Sequence, residues 1–177
     1  MKKLISVTLV LLLLCGCLLL PAAAARELGP VHVKLNSNVA GCGEAQYAQI
    51  FEILSGNVTY GHKHGEPVSI SDYVGRPLEG AMEAGRTYNI SCLLDAADGF
   101  EMPESLPDGA VTVDCGKGVT VHHIAVVYAK YRLDDDSYEI YRGLRITATV
   151  VVDSSTMQRV IGWLKDTILK IRTWQLY

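Results

Sequence analysis

His62 and His64 stand on either side of Lys63 in the stretch Gly61-His62-Lys63-His64-Gly65-Glu66-Pro67. In extended chain, residues two apart point the same way, so the two imidazoles could share a divalent metal. A working zinc site needs three or four ligands, and no third histidine or carboxylate is placed beside them. They are weak metal candidates, and exposed histidines in a turn are the plainer reading. His122 and His123 are adjacent in a strand-like run, so they face opposite ways and cannot chelate one ion together. Asp134-Asp135-Asp136 is acidic enough to attract calcium. It lacks EF-hand spacing and its glycine, and reads as a solvated hairpin tip.

Three cysteines follow residue 25: Cys42, Cys92 and Cys115. An odd number leaves at least one thiol free or paired between molecules. Cys92 and Cys115 both fall on the apolar side of alternating runs, which predicts that both enter the core. Two outcomes stay open there, a bridge between strands or two buried thiols. A bridge requires Cα atoms about 5.5 Å apart. If it forms, Cys42 is the free thiol. Cys42, in Ala40-Gly41-Cys42-Gly43, has no histidine near it in sequence to activate it as a nucleophile. No CxxC, GxSxG, HExxH or P-loop is present. The expectation is therefore no catalytic residue and no cofactor. A metal-dependent hydrolase built on His62 and His64 is the remote alternative.

The elements that must position these residues begin after a leader. Met1-Lys2-Lys3 is a positive start, residues 4–20 are almost wholly apolar, and Pro21-Ala22-Ala23-Ala24-Ala25 offers a small-residue cleavage site. This predicts export, with cleavage near Ala24 or Ala25, and an extracellular or cell-surface location. Leu14-Cys15-Gly16-Cys17 also resembles a lipobox, which would instead lipidate Cys17. The chain carries 16 basic and 19 acidic side chains, and without Lys2 and Lys3 the balance is 14 against 19. An acidic exported chain argues against nucleic acid as a partner.

Residues 26–153 read as one β domain. Val31 to Leu35 alternates, as a half-buried strand does. Tyr47, Ile50, Phe51 and Leu54 lie at i, i+3, i+4 and i+7, which predicts a short helix over about 44–54. Tyr88, Ile90, Cys92 and Leu94 alternate with polar neighbours, as do Leu144, Ile146, Ala148 and Val150. Runs at 119–133 and 138–152 flank the acidic tip and predict a hairpin. Several short strands with regular turn signals suggest a sandwich.

The segment Ala84-Gly85-Arg86-Thr87-Tyr88-Asn89-Ile90, followed by Ala96-Ala97-Asp98-Gly99-Phe100, resembles the AGxxYxxxxxLxAxDGY/F pattern of bacterial Ig-like modules. These modules occur on secreted proteins of Gram-positive gut anaerobes. Leu106 to Val113 fits a following strand of such a module, and the likeness rests mainly on residues 84–115. It implies an Ig-like β-sandwich; the short α-helix on the N-terminal side, at about 44–54, and the amphipathic α-helix at the C-terminal end are where this chain departs from that pattern, so the expected fold is mainly β with those two helices added. It also implies adhesion or spacer duty, and it brings no catalytic residues with it.

Residues 154–177 change period again. Met157, Val160, Ile161, Leu164, Ile168 and Ile171 form a helical apolar stripe, with Ser154 to Thr156 available as a cap. Lys165, Lys170 and Arg172 are basic, and Trp174 adds aromatic bulk, as does Trp163. These residues are the candidate membrane or partner face. Packing on the domain, lying on a membrane surface and joining a partner or second copy all remain open. The leading expectation is a non-catalytic exported module for binding or structure, with an unknown protein or glycan ligand. A membrane-surface envelope protein, held by the helix or by a lipidated Cys17, is the alternative.

Overall fold

The computed structural model describes residues 26–62, 66–132 and 137–174. The leader, Cys17, His64 and residues 134–136 lie outside them. The fold is mainly β, with one long helix after the last strand.

Strand β1 (Arg26–Glu27) pairs in parallel with β7 (Phe100–Glu101) and ties residues 26–27 to the 97–102 turn. In β2 (Val31–Leu35), Val31, Val33 and Leu35 are buried, while His32 and Lys34 point away. Alternation along a pleated strand produces this division directly. β2 is the centre of a three-stranded sheet, antiparallel to β3 (Phe51–Ser55) and parallel to β8 (Val111–Cys115).

The helix expected over 44–54 is shorter. A 3-10 turn at Glu44–Gln46 leads into α1 (Tyr47–Ile50), and the chain is extended from Phe51 onward. Phe51 and Ile53 pair with Leu35 and Val33 of β2. Tyr47, Ile50 and Phe51 satisfy a helical spacing, but Phe51 and Ile53 also satisfy a strand spacing, and the ladder to β2 decides between them. Leu54, predicted on the helix face, is exposed on β3.

The larger sheet has five strands. β4 (Val58–Tyr60) and β5 (Val68–Asp72) pair antiparallel with successive stretches of β6 (Thr87–Ala96). On its other side β6 pairs with β10 (Tyr138–Val151), and β10 pairs with β9 (Val119–Arg132), which ends the sheet. Leu94, Cys92, Ile90 and Tyr88 stand opposite Leu144, Ile146, Ala148 and Val150, and all eight are buried. They join Val31, Val33, Leu35 and Phe51 in one hydrophobic cluster, so both sheets share a core. Burying each such large side chain contributes about 1.5–3 kcal/mol. The β9–β10 ladder pairs His123 with Thr147 and Val121 with Ala148, leaving His122 as the extra residue of a bulge.

Candidate functional site

Helix α2 (Thr156–Trp174) follows β10. Ser155 caps it: its hydroxyl accepts from the Gln158 amide at 3.4 Å, while the Gln158 side-chain oxygen accepts from the Ser155 amide at 2.9 Å. The pairing is a reciprocal capping box, built from Ser155 and the glutamine three residues on.

At 3.6 residues per turn, Gly162, Asp166, Leu169 and Thr173 fall on the side of α2 opposite its apolar stripe. That polar side is the one the protein buries. Gly162 is buried against Gly85, and a Cβ there would run directly into the Gly85 carbonyl. Gly85 sits at φ +81°, and its own Cβ would strike the Gln158 carbonyl of the helix. Both positions therefore need glycine, Gly85 for its left-handed backbone as well. The loop that holds Gly85 is fixed independently of the helix. The Gly85 amide donates to Val152, the Val152 amide donates to Arg86, and the Glu83 amide donates to the Tyr88 hydroxyl at 2.9 Å.

Charge completes the seat. Asp166 is 7% exposed; its carboxylate accepts from Arg86 Nε and from the Thr87 amide, both at 3.1 Å. Burial by itself pulls the Arg86 guanidinium down, but the hydrogen bond and charge of Asp166, with Glu83 behind them, outweigh it and hold it above its ordinary value. Lys165 pairs with Glu83 on one side of the seat. Its hydrogen bond keeps the Glu83 carboxyl below the ordinary glutamate range. On the other side, Lys170 lies 5.8 Å from the centre of the Tyr73 ring. Beside it, a cavity of about 400 Å³ is lined by Tyr73, Thr87, Trp163 and Asp166.

The stripe itself faces away from the body. Met157 is 69% exposed, Ile171 55%, Ile168 52% and Val160 50%, and Ile161 and Leu164 are exposed to a similar degree. Trp163 is exposed beside them. Together they form a contiguous apolar face in solvent. Of the residues the sequence singled out, the six apolar ones and Arg172 lie exposed on α2, Lys165 and Lys170 turn partly to the body, and Trp174 closes the helix. Sequence reasoning missed Gly85, Gly162, Asp166 and Arg86. Their signal was the spacing of Gly162 and Asp166, one turn apart on the polar face.

The remaining candidates are dispersed. His62 bonds through Nε2 to the Tyr47 hydroxyl at 3.1 Å and stacks edge-on with Tyr47 and Tyr60. Among the described residues no group of three or more histidine, cysteine or acidic side chains is set to hold a metal. Cys92 and Cys115 are not bridged, and all three thiols are free. Cys92 lies buried in β6, whereas Cys115 is exposed at the end of β8 in the other sheet. Alternation named the correct side of β8, but no opposing layer covers its last residue. Burial pushes the Cys92 thiol far up, and burial followed by the Asp114 charge raises that of Cys115, so neither is an activated nucleophile. A cleft of about 610 Å³ lies on the outer face of the five-stranded sheet, among Ser69, Ser91, Asn89 and Thr147. At its edge His122 bonds to Thr149 at 2.6 Å, and the Thr149 hydroxyl donates to Asn89 at 3.2 Å.

Among the described residues no helix is long and apolar enough to cross a membrane. Comparison of the chain with protein families, curated proteins and solved structures returns no match.

Proposed function

We propose that this chain is an exported, non-catalytic module that acts by binding at the cell surface, with the outward stripe of α2 as its interaction surface. One observation carries this reading: the helix is locked to the body by its glycine and acidic side, and its apolar side is left in solvent. Folding buries apolar surface wherever the chain permits, so a stripe of this size held outward is matched to something outside the fold. The leader-like residues 1–25 support export. A core shared by two sheets supports the Ig-like sandwich reading of residues 26–153, and with it a scaffold role.

The test is fractionation of cells that export the protein. Wild type is expected with the cell surface, and the double variant Ile161→Glu, Leu164→Glu in the medium. Both positions are exposed, so the variant should melt at the same temperature as wild type. Identical distribution of two equally stable proteins would sink the reading.

A further inference from the structure

The flanks of the stripe indicate what covers it. Helix α2 carries four cations, Arg159, Lys165, Lys170 and Arg172, and a single acid, Asp166. That acid is consumed in the seat, bonded to Arg86 and Thr87. Lys165 and Arg172 border the stripe along one side at helical spacing, and Trp163 borders it along the other. The outward half of the helix is therefore apolar in the middle and cationic and aromatic at its margins; it carries no acid of its own, and Glu83 of the body stands beside it only as the partner of Lys165.

We propose that the occupant is anionic lipid, with α2 lying in the headgroup region of a negatively charged membrane and its stripe at the acyl boundary. This deepens the interaction-surface reading and rests on it. Basic margins gain energy from anionic headgroups, and an exposed tryptophan settles at the boundary between apolar and wet layers. At 1.5 Å per residue the helix is about 28 Å long, enough to lie in the plane with several turns engaged. A second copy fits less well. Antiparallel pairing of two stripes lays the margin of Lys165 and Arg172 against the same margin of the second copy, and no acid on the helix answers it. The seat keeps the geometry, because the face that meets lipid is the one opposite Gly162 and Asp166.

The experiment is co-sedimentation of the chain from residue 26, which holds the whole described fold, with vesicles of phosphatidylglycerol and of phosphatidylcholine. Wild type should pellet with phosphatidylglycerol, less so at high salt, and only weakly with phosphatidylcholine. Ile161→Glu with Ile168→Glu should abolish pelleting. Arg172→Gln, which leaves the stripe and the seat intact, should weaken it about five-fold. Equal pelleting with both lipids overturns the anionic assignment. No pelleting, together with a wild-type dimer that the stripe variant dissolves, overturns lipid as occupant but keeps the interaction surface. No pelleting and no difference in self-association overturns both.

Discussion

Gly162 shows how one missing side chain can set the position of a helix. The obstacle to a Cβ there is the backbone of Gly85 and Arg86, which cannot turn aside as a flexible side chain would. The loop is also pinned by hydrogen bonds to Val152 and Tyr88, so it has little room to retreat. Gly162→Ala would on intrinsic propensity favour the helix by about 1 kcal/mol. Steric conflict at the crossing, about 1–3 kcal/mol for overpacking and toward the upper end against unyielding backbone, should outweigh this and loosen α2 from the body. Hydrogen exchange at the Thr87 amide, whose acceptor is Asp166, reports the loss. Faster exchange there with an unchanged β6 core is the expected pattern, and wild-type protection would count against the glycine contact. In the sequence, Gly162 reads only as a small residue on the polar face, one turn before Asp166. Nothing local reveals that another glycine, far back in the chain, comes to meet it.

Helix α2 is attached by ion pairs as well as by fit, so its docking depends on pH. Glu83 titrates lower in the folded protein than in the unfolded chain, chiefly through its bond to Lys165 and with help from Arg86. A lowered acid pKa adds stability that is complete above the ordinary glutamate value near 4.5 and lost as pH falls through the lower folded value. Glu83 and Lys165 are both about half exposed, so the effect is small and screened by salt. Limited proteolysis should find α2 more readily cut once the pH falls below the ordinary glutamate value near 4.5 than at neutral pH, and Glu83→Gln should remove most of that difference. Equal cutting of wild type and variant across this range would contradict the assignment. Some elements were plain in the sequence and others were not. Tyr88, Ile90, Cys92 and Leu94 were legible because their spacing and their burial have the same period. Phe51 and Ile53 were not, since two periods fit the same residues and pairing with Val33 and Leu35 chose one. For α2 the stripe was legible but its direction was not, because the usual inference that apolar means inward fails when the opposite face fits the body better.

Across the whole molecule, the two sheets and their shared core leave the three thiols in different surroundings. Cys92 is fully enclosed, Cys42 is buried with its Sγ 3.3 Å from the Gln49 side-chain oxygen, and Cys115 is exposed. In native protein Cys115 should react with a thiol reagent first, and Cys92 last. Denatured without reductant, the chain from residue 26 should show three reactive thiols; a single one would mean that Cys92 and Cys115 are bridged after all. Their separation was illegible because strand alternation reports a side, whereas disulfide formation depends on which layer each strand joins. The terminal strand β9 has a consequence of its own. Its outer margin carries no neighbour in the five-stranded sheet, and the extra residue at His122 breaks its register partway along. Copies stacking edge to edge would need a straight template, and this one is crooked. Wherever copies of this fold crowd together, that kink acts as a brake on fibre growth.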